Sequence, residues 1–301
     1  MIRIGMVDFD TSHVVAFTQR LNHVDIGPEH HIAGDAKVVA GCPGSSDIMP
    51  ERIPGYVEQM KGYGVPLVER PEDLLGQIDA VMVESQQGSK HLERARPFLE
   101  AGLPTFIDKP FAGSLAQADE IIALARKHNA PLMSCSPLRY APEVLEAQAK
   151  QETNGRLLTA DVWSTAILHE GNPGLQHYGI HGVEMLFALM GPGCVEARTA
   201  FQPGGEVVTG RWSDGRLGVM RGLRDGQGGF GFAAHYEKGH HVATIQGAAY
   251  YTEMIKRIVA MFATREEPIA LAETREIAAF MDAALTSAQR DGAPVALPAA
   301  A

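Results

Sequence analysis

The sequence predicts an α/β protein. Residues 1–136 form a doubly wound parallel sheet, and residues 137–301 form an α+β domain with a mostly antiparallel, open sheet. Three observations predict this. Up to residue 136, short apolar runs alternate with amphipathic helical stretches, the pattern of a parallel sheet covered on both faces. Beyond it, six short runs rich in Val, Thr, Trp, Phe and Gly succeed one another across Gly-Gly, Asp-Gly and Lys-Gly turns, as antiparallel strands do. A length of 301 residues suits two domains, and a 45% hydrophobic content is enough for a large core.

Residues 2–7 are an apolar strand, and 14–21 shift to helical periodicity, which makes the first βα unit. A strand at 37–40 follows, then a helix at 54–64 ending at glycine, a short strand at 66–68 and a capped turn at 71–76. Residues 78–83 lack polar alternation, as a strand buried on both faces should, and the helix at 90–101 stops at Gly102. The strand at 105–107, the helix at 114–127 and the strand at 131–134 complete the first domain. A helix at 142–151 opens the second domain, with strands expected at 157–166, 195–201, 206–212, 217–223, 229–236 and 241–246. An apolar helix at 177–190 is stopped by Gly191 and Pro192, two helices at 250–263 and 272–290 close the chain, and the tail beyond Gly292 is expected to fray.

The formal net charge of −10 argues against nucleic-acid or anionic-membrane partners. Cys42, Cys135 and Cys194 are odd in number and widely spaced, which fits a reducing cytoplasm better than a disulfide framework. The opening lacks the pattern of a signal peptide, and no apolar stretch is long enough to cross a membrane. A soluble, cytoplasmic protein is the expectation.

Four sets of residues could carry chemistry. The first βα turn runs Asp8-Phe9-Asp10-Thr11-Ser12-His13, where Phe9 and the hydroxyls of Thr11 and Ser12 could contact a ligand, or Asp10 or Thr11 could simply cap the next helix. Asp108-Lys109-Pro110 lies at the carboxyl end of a parallel strand, where open α/β sheets bind ligands and a lysine can exchange a proton with a hydroxyl. In a helix beginning at His177, the residues His177, His181 and Glu184 would share one face able to bind sugar hydroxyls, relay protons or hold a metal. The loop containing Glu84, Ser85 and Gln86, with His91 beyond it, follows another sheet strand and has only its position to recommend it.

From Ala80 through Pro142 the chain resembles the Gfo/Idh/MocA oxidoreductase family. Asp108-Lys109-Pro110 is similar to that family's Glu-Lys-Pro signature, and Arg139-Tyr140-Ala141-Pro142 resembles its Arg-x-x-Pro entry to the substrate domain. His177, Gly179, His181 and Glu184 match its Asp-x-Gly-x-His-x-x-Asp helix, and the stretch 251–297 has its usual ending. The resemblance implies a Rossmann-like domain with NAD or NADP, and a second domain whose sheet makes homo-oligomer contacts. It implies oxidation of a sugar, cyclitol or related polyol. Lys109 would contact the reacting hydroxyl, Asp108 would support it, and His181 would act as proton acceptor or orienter. Substrate contacts fall on His177, Tyr178, Glu184 and Arg139. Cofactor contacts fall on Phe9, Thr11, Ser12, Glu84, Ser85, Gln86, His91, Lys109 and Pro110, with no metal assigned.

The chain also departs from that pattern. Asp8, Asp10 and His13 stand where the family has its three fingerprint glycines, and Pro43-Gly44-Ser45 stands where a ribose-binding acid is expected. Two carboxylates beside a pyrophosphate oppose it by charge and bulk, so a weakened or shifted cofactor pose is expected. The alternative is a nicotinamide-independent lyase, isomerase or hydrolase on the same scaffold, with Lys109 and His181 as acid and base, with or without assistance from a metal.

Overall fold

The computed structural model describes residues 1–299 and divides into two units, Met1–Cys135 with Tyr251–Leu271, and Ser136–Tyr250 with the chain from Ala272 onward. The first unit runs β1 (Ile2–Val7), α1 (His13–Asn22), β2 (Ala36–Cys42), α2 (Ile53–Gly62), β3 (Ala80–Val83), α3 (His91–Glu100), β4 (Thr105–Ile107), α4 (Leu115–Lys127) and β5 (Leu132–Met133). All five strands are parallel, in the order β2-β1-β3-β4-β5. Every residue of β3 and β4 is buried, which is why neither shows polar alternation. Residues 66–68 do not form the expected strand; they contribute a single bridge between Leu67 and Gly41.

In this order the chain reverses direction across the sheet between β1 and β3, so a crevice opens outside their carboxyl ends. The loops after β1, β3 and β4 meet there. Gly88 and Gly113 allow the contact: a Cβ on Gly88 would lie 2.8 Å from the Ala112 backbone, and one on Gly113 2.8 Å from Ser89 Cα. Segment 251–271, which the sequence reading assigns to the second domain, packs in this unit instead. β5 is an edge strand whose amides need partners. The Leu132 N–H donates to Glu267, and Arg265 donates to the Asn129 carbonyl. Such a return of distant chain to a sheet edge leaves no mark in local periodicity.

The second unit contains α5 (Pro142–Ala149), α6 (Gln151–Asn154), β6 (Leu157–Thr165), α7 (Ile180–Met190), β7 (Cys194–Gln202), β8 (Gly205–Trp212), β9 (Leu217–Leu223), β10 (Phe230–Tyr236) and β11 (Gly239–Thr244). α8 (Ala249–Thr264) passes into the first unit, and α9 (Leu271–Gln289) and β12 (Val295–Ala296) complete the second. Its sheet has the order β11-β10-β6-β9-β8-β7-β12, antiparallel except for the β6–β9 pair. α7 is apolar almost throughout and packs on one face of the sheet, with Phe187 against Trp212 and Phe280.

Two expectations fail here. The tail does not fray through residue 299, because Val295 and Ala296 pair with Ala197 and Glu196 of β7; residues 300 and 301 of that tail lie outside the described residues. The helix expected from His177 begins only at Ile180. His177 sits in the preceding turn, so His177 and His181 do not share a helical face.

Candidate active site

In the first unit the β1–α1 turn is filled by its own side chains. Asp8 takes a left-handed backbone conformation, φ 62°, which Asp tolerates better than most residues. Its Oδ2 accepts hydrogen bonds from Ser85 Oγ at 2.5 Å and from Arg94 Nε at 3.0 Å. Burial nevertheless pushes Asp8 up to about 6, against the pull of Ser85 and Arg94. Asp10 is buried too and accepts the Gln86 backbone N–H at 2.9 Å. Burial raises its pKa.

Phe9 faces the core, where a Cβ on Gly41 would lie 2.6 Å from its Cζ. Thr11 Oγ1 faces the His13 N–H at 3.4 Å, while Ser12 is exposed at the helix start and makes no side-chain cap. His91 is wholly buried between two loop carbonyls, Ser85 O at 2.7 Å and Phe111 O at 3.2 Å, and burial lowers its pKa. It ties the loop after β3 to the loop after β4, so its visible work is structural.

At the carboxyl end of β4, Lys109 Nζ lies 3.3 Å from Asp108 Oδ2, and both residues are buried. The Lys109–Pro110 peptide is cis. His13 Nδ1 approaches the same Asp108 oxygen at 3.0 Å and Glu84 Oε2 at 3.7 Å. Burial alone would raise Asp108, but the charges of His13 and Lys109 outweigh it and hold this carboxyl below the usual range. Glu84 is raised far above its ordinary value by burial and by Asp108 beside it.

Pyrophosphate recognition at such a turn needs free backbone amides and room for close approach. Neither is present. Asp8 Oδ1 occupies the space over Gly44, and the Gln86 amide is already bonded to Asp10. The turn therefore does not fit a dinucleotide held in the glycine-fingerprint pose. Arg94, which sequence reasoning missed, offsets the Asp8 charge and reaches Ser45 Oγ at 3.4 Å. Nothing in the exposed-looking pattern of α3 marks it in the sequence.

In the second unit, His181 Nδ1 lies 2.6 Å from Ser136 Oγ, and its ring packs edge-on against Tyr178 and Phe230. Ser136 was likewise missed, being 45 residues distant in the chain. His177 lies beside His169, with ring centroids 5.1 Å apart and the planes tilted by 34°. Arg139 and Glu184 are joined to each other by a buried ion pair of 2.7 Å, and Arg139 also reaches Glu273 at 2.6 Å. Burial raises Glu184 despite Arg139. Because Glu184 faces Arg139 and His177 lies off the helix, the face of two imidazoles and a carboxylate envisaged for a metal is not formed.

The family described as "Oxidoreductase family, NAD-binding Rossmann fold", GFO_IDH_MocA, matches residues 47–135. The match begins after the β1–α1 turn, the part that departs most from the fingerprint. A putative oxidoreductase, YceM, of Salmonella typhimurium is 31% identical over 97 residues, which span 32% of this chain and 31% of that protein. Thus the chain matches about a third of the curated relative's length. The fold is shared with a probable dehydrogenase from Thermotoga maritima, at TM-score 0.79 and 19% identity over 98% of this chain and 99% of that one. It is also shared with myo-inositol dehydrogenase from Lactobacillus casei, solved with NAD(H) and myo-inositol, at TM-score 0.78 and 16% identity over 100% and 98% of the two chains. The family match lies within the first unit and contains Asp108-Lys109-Pro110.

Proposed function

We propose that the protein is an NAD- or NADP-dependent dehydrogenase that oxidises a hydroxyl of a sugar, cyclitol or related polyol. The observation that carries this reading is Lys109, a buried ammonium held by Asp108 at the carboxyl end of β4 within the family match. The myo-inositol dehydrogenase of the same fold supports the substrate class. Lys109 contacts the reacting hydroxyl and Asp108 holds it. His181, oriented by Ser136, accepts the proton, with His177 and Tyr178 contacting substrate hydroxyls. Arg139 and Glu184 shape the pocket through their ion pair rather than by free charge. A bound nicotinamide would supply two-electron acceptance, and Thr11, Ser12, Ser85, Gln86 and Pro110 would hold it.

The second unit's sheet carries exposed Leu217 and Val242 on its strands, and homo-oligomer contact through this sheet is part of the proposal. The test is absorbance at the reduced-nicotinamide band with inositols, aldoses and sugar acids against NAD+ and NADP+. Turnover with one polyol supports the reading. No turnover, together with no calorimetric binding of either nucleotide, refutes it. In that event the filled β1–α1 turn favours a nicotinamide-independent lyase, isomerase or hydrolase that uses Lys109 and His181 as acid and base.

A further inference from the structure

His13 begins α1, Glu84 follows β3 and Asp108 follows β4, and one ligand atom from each lies within 4.8 Å of the others. All three side chains are buried, Glu84 and Asp108 completely. Neither oxygen of Glu84, neither oxygen of Asp108, nor His13 Nδ1 has a hydrogen-bond partner among the described residues. Two buried carboxylates and a ring nitrogen that face a common point outside any hydrogen bond are costly unless a cation joins them. Lys109 contacts Asp108 Oδ2, so one of the two carboxylates is balanced; Glu84 is not. Asp10, buried close by, adds negative charge rather than relieving it.

We propose that His13, Glu84 and Asp108 form a binding site for one divalent transition-metal ion, of the zinc or manganese type. Metal–nitrogen and metal–oxygen bonds of about 2.0–2.2 Å set neighbouring ligands roughly 3–4 Å apart. The 3.0 and 3.7 Å separations from His13 Nδ1 fall in that span. An imidazole with two carboxylates suits Zn2+, Mn2+, Fe2+ or Co2+ better than Mg2+ or Ca2+, which favour oxygen alone. The imidazole is already held in place: His13 stacks on Phe17 at 4.8 Å and meets the edge of Tyr251 at 5.3 Å, which fixes the ring without using Nδ1. Three protein ligands leave further coordination positions for oxygen atoms of a bound molecule, at the strand ends where open α/β sheets take ligands. The site also accounts for the position of His13: an imidazole stands where the family has a glycine, and its two partners come from the two neighbouring strand ends.

This inference does not depend on the dehydrogenase reading, and its test involves no nicotinamide. The full-length chain, stripped with a chelator, is titrated with Co2+ and followed by its visible d–d absorption, and with Zn2+ by calorimetry. One ion per chain is expected, with bands of a four- to five-coordinate site. Glu84→Gln and His13→Ala, each checked for folding by circular dichroism, should weaken binding at least 10-fold, whereas the exposed His235→Ala in the other unit should not. Mg2+ should bind far more weakly. Absence of Co2+ and Zn2+ uptake by the unsubstituted chain overturns the proposal and leaves Lys109 as the neighbouring cation. So does equal uptake by Glu84→Gln and His13→Ala.

Discussion

Replacing Asp8 with asparagine converts one buried charge into a pH-independent amide and makes the cost of that charge measurable. The native carboxyl is pushed from 3.8 up to about 6, chiefly by burial. A raised acid stabilises the fold fully below its unfolded pKa and loses that contribution as pH rises through the native value. At pH 5 the native carboxyl is about nine-tenths protonated while the unfolded one is mostly ionised, a difference worth about 1.4 kcal/mol. At pH 7.5 both are ionised and the contribution is close to zero. The side-chain amide of the Asp8→Asn variant cannot titrate, asparagine tolerates the φ of 62° as aspartate does, and its carbonyl oxygen preserves a partner for the Ser85 hydroxyl. Other titrating groups, Asp10 and Glu84 among them, are common to both proteins and largely cancel. Urea unfolding at pH 5.0 and 7.5, with matched m-values, should show wild type losing about 1.4 kcal/mol more than Asp8→Asn between those pH values. Parallel pH profiles would refute the reasoning and mean that Arg94 and Ser85 keep Asp8 ionised across the range.

Lys109→Ala should lower kcat by about 100-fold or more on the identified polyol, as loss of a proton-exchanging group does. Its stability cost should stay near 1–3 kcal/mol, because Asp108 retains His13 as a partner; full activity in this variant would remove lysine from the chemistry. Replacing both Asp8 and Asp10 with glycine frees the Gln86 amide and clears the space over Gly44, so calorimetry should register tighter NAD(H) or NADP(H) binding than in wild type. Tight wild-type binding that these changes weaken would make the two acids cofactor ligands instead. Arg139→Ala strands the buried Glu184 and half of the contact to Glu273, and should cost about 3–5 kcal/mol in urea unfolding; a loss below about 1 kcal/mol would show that Glu184 is readily protonated without it.

Periodicity made most of the architecture legible because burial is written locally: β3 and β4 read as uninterrupted apolar runs and α4 as an amphipathic helix, at whose start the structure shows Ser114 accepting the Gln117 N–H. The failures share a different cause. Leu67 meets the β2 edge through a single bridge at Gly41, whereas Val295 and Ala296 extend the β7 edge by two paired residues. The β5 edge draws in Glu267 from more than a hundred residues away. Motif resemblance singles out Lys109, Asp108 and His181 in the sequence, whereas Arg94 and Ser136, which contact Asp8 and His181, carry no motif of their own and their partners lie far off in the chain.

The turn that departs most from the fingerprint is nevertheless a coherent structure, and the reason bears on what it binds. Each residue standing in place of a glycine has a partner on a neighbouring loop: Asp8 has Ser85, Asp10 has the Gln86 amide, and His13 has Glu84 and Asp108. Those loops are themselves locked by His91 and by the close approach at Gly88 and Gly113. The strand ends are therefore ordered without any ligand, so little conformational entropy is lost when one arrives. What they present is also inverted in charge. A glycine turn offers bare amides to an anion, whereas this one carries the buried carboxyl groups of Asp8 and Asp10, with Glu84 and Asp108 buried on the neighbouring loops and Arg94 and Lys109 engaged by Asp8 and Asp108. Acidic side chains at these strand ends favour a cation or a hydrogen-bond donor there over a phosphate.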